Sequence, residues 1–138
     1  MELILKEFKG LEIVFDSNGW INATNTCKKH NKQLDNFIRS KFFIEYCNSV
    51  EKLRYVKITE LKKVVLGKGK EQGTYLHPYL LILFARYISS DFAVFCDILN
   101  ENQFKDQIQL KQSIINKSQE VINELIEDRD KSRWWMND

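Results

Sequence analysis

Three glycines and two lysines fall inside the stretch Gly67-Lys68-Gly69-Lys70-Glu71-Gln72-Gly73, between the apolar runs Val64-Val65-Leu66 and Tyr75-Leu76. Glycine tolerates positive φ and close backbone approach, so the stretch reads as the tip of a hairpin. Lysines on such a tip present compact positive charge that can enter a groove or lie along phosphates. A second polar set, Lys32, Gln33, Asn36, Arg39 and Lys41, lies around the apolar residues Leu34, Phe37 and Ile38 at helical spacing. Gln and Asn can pair bidentately with adenine, and Arg or Lys with guanine. Any helix has a solvated face, so the set alone does not demand a ligand. Asp35 among them would repel phosphate; it can read cytosine or cap the helix start instead.

Other chemistries find little support. Cys27 and His30 form one C-x-x-H pair, but Cys47, His77 and Cys96 are scattered, whereas structural zinc needs four ligands. No third residue orients a Cys/His nucleophile. Carboxylates cluster only over Glu124–Asp130, on an expected solvated helix. The chain is therefore expected to be no enzyme and to need no metal or cofactor.

The bulk composition agrees with one soluble globular domain and a short appendage: 138 residues, 43% apolar and 29% charged. No run approaches the ~18 apolar residues of a membrane span. The start, Met1-Glu2-Leu3-Ile4-Leu5-Lys6, lacks the basic and then apolar pattern of a secretory signal. Three widely spaced cysteines argue for a reducing compartment. The expected location is intracellular, not secreted. Net charge is only +2, yet positions 28–70 hold twelve Lys and Arg against four Asp and Glu. Such asymmetry suits a polyanion footprint on one part of a fold, although a solvated basic face would look the same.

The elements that must position these residues can be read in order. Leu3-Ile4-Leu5 and Leu11-Glu12-Ile13-Val14-Phe15 flank Lys9-Gly10 as an N-terminal hairpin, and Asp16-Ser17-Asn18-Gly19 is a turn. Trp20 and Ile21 follow as apolar anchors. Asn22 suits the N-cap of a helix from Ala23 to about His30, although a DNA contact is the alternative. Lys28 and Lys29 close that helix, where cations also favour its dipole. A second helical segment runs from about Leu34 to Ser40 and can continue through Phe42, Phe43, Tyr46 and Cys47 towards Val50. Lys62-Lys63-Val64-Val65-Leu66 pairs with Thr74-Tyr75-Leu76 across the glycine-rich tip. Pro78, the sole proline, opens a helix that runs to Ile88-Ser89. Ser90 or Asp91 caps the next, which holds Phe92, Phe95 and Leu99. From Asn100 onward glycine and proline vanish. Phe104, Ile108, Ile115 and Ile122 then keep seven-residue spacing, apart from the first step, as do Ile114 and Val121. Lys111 and Ser118 interrupt that seam. Trp134, Trp135 and Met136 form an apolar patch at the end of the chain.

Three separated motifs resemble one family. Gly19-Trp20-Ile21-Asn22-Ala23-Thr24 with Cys27-Lys28 is similar to the opening signature of the KilA-N domain. Gly73-Thr74-Tyr75-Leu76-His77-Pro78 resembles its Gly-Thr-Trp-Val-His-Pro run, with Tyr75 in place of the usual tryptophan. Ala85-Arg86-Tyr87-Ile88-Ser89 and Asp91-Phe92-Ala93 resemble its helical end. The resemblance covers roughly residues 15–99. The family is carried by phages and large DNA viruses and is similar to the fungal APSES DNA-binding domain.

The resemblance implies an α+β, winged helix-turn-helix-like domain over residues 1–99, with an N-terminal β-hairpin. It implies a DNA-binding function, with the recognition helix at about Lys32–Lys41 in the major groove and a wing at Leu66–Thr74. Candidate DNA contacts are then Lys32, Gln33, Asn36, Arg39 and Lys41 on the helix. Lys62 and Lys63 would flank the groove, and Lys68, Lys70 and Gln72 would sit on the wing. Residues 100–138 form a long amphipathic helix outside the resemblance, which can support a homodimer through residues 100–130. The rival expectations are an antirepressor-like protein-interaction module acting through that helix, and RNA binding.

Overall fold

The computed structural model describes residues 2–136, with side chains placed for residues 2–103, 105–106 and 108–126. The chain divides into two units, Met1–Ile98 and Leu99–Asp138. The first is mixed α and β. Strands β1 (Leu3–Phe8) and β2 (Leu11–Asp16) form the N-terminal hairpin, turned by Lys9 and Gly10 at φ 49° and 79°. A two-residue strand β3 (Ile21–Asn22) pairs antiparallel with β2 and with β5 (Gly73–Leu76), which pairs antiparallel with β4 (Lys62–Val65). The five strands thus make one sheet in the order β1-β2-β3-β5-β4. Trp20-Ile21 is more than an apolar anchor: Ile21 and Asn22 splice the two hairpins together, with Ile21 opposite Leu76 and Asn22 opposite Tyr75.

Helix α1 (Ala23–Lys29) starts where expected, because the Asn22 side chain accepts the N–H of Asn25 at 3.1 Å. It stops at Asn31, which takes φ 55° while the Lys32 N–H closes onto the Cys27 carbonyl at 2.9 Å. The second helix differs from expectation. Instead of the helix over about Lys32–Lys41 that the resemblance implies, or of one starting at Leu34 and continuing through Ser40 towards Val50, the chain forms α2 (Leu34–Ile38), breaks at Arg39-Ser40, and restarts as α3 (Lys41–Arg54). Ser40 makes the break: its Oγ accepts the Phe43 N–H at 3.2 Å and donates to the Phe37 carbonyl at 2.6 Å. A serine that can cap a new helix competes with continuing the old one. Phe37 anchors α2 against Phe43, Phe84 and Tyr87, with ring centroids 5.0–5.4 Å apart.

Pro78 opens a single 3-10 turn, Pro78–Leu80, which feeds α4 (Leu81–Ile88). Helix α5 then runs unbroken over Ser90–Met136. The separate helices expected before and after Asn100 are one, since no glycine or proline interrupts them. Ser89 caps it by accepting the Phe92 N–H at 3.0 Å. The core of the first unit gathers Ile13, Val14, Ile21, Tyr75, Leu76, Leu80, Phe84, Phe92 and Cys96. Burying such side chains is worth roughly 1.5–3 kcal/mol each relative to exposure.

In the second unit every placed side chain from Asn100 onward is exposed, including Ile108, Ile114, Ile115, Val121, Ile122 and Leu125. Gln112 bonds Asn116 and Gln119 bonds Asn123, one turn apart, at 3.0 and 3.1 Å. Phe104, Trp134, Trp135 and Met136, singled out in the sequence, lie outside the described side chains. No described helix is long and apolar enough to cross a membrane.

Candidate nucleic-acid interface

The glycine-rich tip is a loop of seven residues between Val65 and Gly73, with a 3-10 turn over Gly69–Glu71. Gly67, Gly69 and Gly73 have φ of 137°, 80° and 147°, values L side chains rarely adopt. The tip is held at its base by Asn22 of β3, Tyr75 of β5 and Thr24 of α1. The Asn22 Nδ2 donates to the Gln72 carbonyl at 2.9 Å and to the Lys70 carbonyl at 3.2 Å. The Tyr75 hydroxyl donates to the Glu71 carbonyl at 2.9 Å. The Thr74 N–H donates to Thr24 Oγ1 at 2.9 Å. Four backbone groups, at Lys70, Glu71, Gln72 and Thr74, are therefore tied to side chains, while the side chains of Lys68, Lys70 and Gln72 are exposed.

The lysines differ in what they touch. Lys70 pairs with Glu12 of β2 at 2.8 Å, both groups exposed. That partner holds the Glu12 carboxyl below its usual range. Lys68 makes no ion pair among the described residues. Lys63, expected to flank the groove, instead meets Asp16 at 2.6 Å, where the Asp16 side chain is only 4% exposed. Its ammonium also lies 4.6 Å from the Trp20 ring centroid. Burial pushes the Asp16 carboxyl up, but the Lys63 bond and the N–H groups of Trp20 and Asn18, each at 2.9 Å, outweigh it and leave the pKa lowered. Lys62 is exposed, close enough to Cys47 to oppose the burial that raises that thiol.

The helical set is spread over three local settings. Lys32 and Gln33 precede α2, with the Lys32 ammonium 5.6 Å from the Tyr87 ring centroid and the Gln33 carbonyl accepting the Tyr87 hydroxyl at 2.8 Å. Asn36 lies on α2, Arg39 is its C-cap, and Lys41 opens α3, where it approaches Glu45 at 3.7 Å. All five side chains are exposed. Residues that matter to this surface and that the sequence does not signal are Asn22 as a contact to the tip, Thr24, Glu12 and the Tyr75 hydroxyl. Their partners lie 48–58 positions away, so no local spacing signals them; only Tyr75, four residues from Glu71, had a local clue.

Trp20, half-buried, packs edge-on to His77 at 4.9 Å, and His77 meets Tyr79 at 4.2 Å, with the Arg54 guanidinium 4.0 Å over Tyr79. Burial, and then Arg54, holds the His77 pKa below its ordinary value. His30 does not face a metal partner: its Nδ1 lies 2.8 Å from the Thr26 carbonyl and its ring packs on Phe8 and Phe92. Burial pushes the Cys27 thiol up to about 11 and the Cys96 thiol to about 12, which leaves both unreactive near neutral pH. Among the described residues no group of three His, Cys, Asp or Glu could hold a metal ion.

The geometry defines a small α+β unit that offers an exposed cationic loop on a fixed base and further exposed cations beyond its first helix. The family model described as the KilA-N domain matches residues 4–105. The chain belongs to the KilA-N domain family, which is usually DNA-binding and occurs in viral proteins. Two KilA-N domain-containing proteins of Acanthamoeba polyphaga mimivirus are similar to it. One is 30% identical over 115 residues, covering 80% of this chain and 25% of the relative. The other is 26% identical over 129 residues, covering 80% of this chain and 36% of the relative. The chain thus spans about a quarter to a third of the length of these curated relatives. No solved structure matches it significantly.

Proposed function

We propose that the unit Met1–Ile98 binds double-stranded DNA in a winged helix-turn-helix manner, with the loop after β4 as the wing. The observation that carries this reading is the clamped tip: its backbone is held by Asn22, Tyr75 and Thr24, while Lys68, Lys70 and Gln72 stay exposed. A loop ordered before binding loses less entropy when it meets a phosphate backbone. Lys68 and Lys70 bind phosphate, and Gln72 reaches a base edge. Lys32, Gln33, Asn36, Arg39 and Lys41 supply the major-groove side, and Lys62 adds salt-dependent affinity. Lys63 is left to its ion pair with Asp16.

The scale suits the ligand. The tip is tied to Asn22 at the start of α1, and Lys32 follows three residues after its last turn. Seven helical residues span roughly 10 Å, the rise of about three nucleotides along one strand. The protein is an intracellular viral or phage-derived transcription regulator in this reading, with residues 100–130 joining two copies. A random-oligonucleotide selection on the purified protein tests it. Enrichment of a duplex sequence supports the proposal; recovery of an unenriched pool, with no retention at low salt, ends it. A-form RNA as competitor separates RNA binding, because its narrow major groove excludes a helix.

A second reading is favoured by the exposed aliphatic stripe Ile108, Ile114, Ile115, Val121, Ile122 and Leu125. That stripe would bind a protein partner, as an antirepressor does. Pull-down of a partner that duplex DNA fails to displace supports it.

A further inference from the structure

We infer that Asn22 is the positioning residue of the wing. The consequence for DNA rests on the reading above; the clamp itself does not. One amide side chain serves two elements at once. Its Oδ1 accepts the Asn25 N–H and caps α1, while its Nδ2 donates to the Lys70 and Gln72 carbonyls and approaches the Tyr75 hydroxyl at 3.5 Å. The residue is fully buried, so these polar atoms have no water to fall back on. Asn22 also sits in β3 opposite Tyr75, which fixes its own backbone within the sheet.

Gly73 completes the device from the other side. A Cβ built there would lie 2.3 Å from Asn22 Oδ1, too close for any side chain to be accepted without displacing the amide. Only glycine lets the strand pass close enough for the Nδ2 bonds to form. The Lys70 backbone therefore takes its place relative to α1 through this buried amide, beside the ties from Tyr75 and Thr24, and Lys68 follows two residues earlier in the same loop.

Asparagine is needed for this double role. Aspartate would keep the cap, since a carboxylate oxygen accepts the Asn25 N–H at least as well. It has no donor for the two carbonyls, and it would place negative charge against them. Asn22→Asp thus separates wing positioning from helix capping. Tyr75→Phe is a milder companion that removes the hydroxyl bond to the Glu71 carbonyl and keeps the ring. Ser89→Ala, which uncaps α5 and touches neither wing nor basic helices, is the control for a general loss of stability.

The test measures amide hydrogen exchange over residues 68–74 without DNA, and duplex affinity by fluorescence anisotropy across a salt series, on the full chain. Asn22→Asp is expected to speed exchange in the tip at least tenfold, weaken binding of a mixed-sequence duplex about tenfold, and make the salt slope shallower by about 2, the two wing phosphates. Tyr75→Phe should do the same about two- to threefold, and Ser89→Ala should leave the tip's exchange and the slope unchanged. Wild-type exchange in the tip of Asn22→Asp, or an equal rise in Ser89→Ala, overturns the inference. Should Asn22→Asp fail to fold, Asn22→Ser, which keeps a capping oxygen but lacks the amide that reaches the two carbonyls, decides by the same exchange criterion. Absence of duplex binding by the wild type would defeat the DNA reading while the exchange data still judge the clamp.

Discussion

The stem and the tip of the β4–β5 hairpin carry the same residue type for opposite purposes. In the stem, Lys63 lies against Asp16 and Trp20 and helps fix the turn that launches β3. In the tip, five and seven positions on, Lys68 and Lys70 are exposed, and what is fixed is the backbone at Lys70 and Gln72. A lysine's role is thus set by partners far off in sequence: Asp16 stands 47 positions from Lys63. Stem and tip should accordingly fail in different ways when altered.

The largest expected effect is on the stem. Asp16→Ala strands the Lys63 ammonium and two backbone N–H groups, and should cost about 2–4 kcal/mol of stability by urea melting. The salt slope of DNA binding in the folded fraction should stay unchanged. In the tip the pattern reverses. Lys68→Ala with Lys70→Ala should weaken duplex binding about tenfold and flatten the salt slope by about 2, with stability altered by less than about 0.5 kcal/mol.

Acid sharpens the contrast. Asp16 has a folded pKa below the unfolded value of 3.8, so its contribution is complete above that value and is lost as pH falls through the folded pKa. His77 is also depressed, from 6.5, so the unfolded chain binds its proton first and stability begins to fall below about pH 6.5. Urea midpoints against pH should show both limbs, and Asp16→Asn should lose the one below pH 4. The smallest effect belongs to Glu12, the carboxylate paired with Lys70, which in the proposed complex would compete with phosphate for it. Glu12→Gln should raise duplex affinity two- to threefold in low salt and not at all in high salt, as expected of an exposed pair.

Much of this architecture could be read along the chain because its signals are local. Lys9-Gly10 and Asn18-Gly19 declare turns, Asn22 declares a cap, and Pro78 declares a helical start. The alternation of Lys62–Val65 against Thr74–Leu76 declares a hairpin. The break at Ser40 was hidden because Leu34, Phe37, Ile38, Phe42 and Phe43 carry a helical period straight through it. Only the competing cap stops the helix there. At the site, charge and glycine content located the tip, but its clamp depends on Asn22 meeting Gly73 across the sheet. The diversion of Lys63 to Asp16 was equally invisible, since both ends of that pair come from residues that are ordinary in sequence.

If Lys68 and Lys70 face a phosphate backbone, as proposed, salt must weaken binding partly through them. The most direct measurement is the affinity of the wild type for a mixed-sequence DNA duplex across a salt series, beside Lys68→Ala with Lys70→Ala. Log affinity should fall linearly with log salt in both, with the variant's slope shallower by about 2. Identical slopes, or binding that ignores salt, would contradict it.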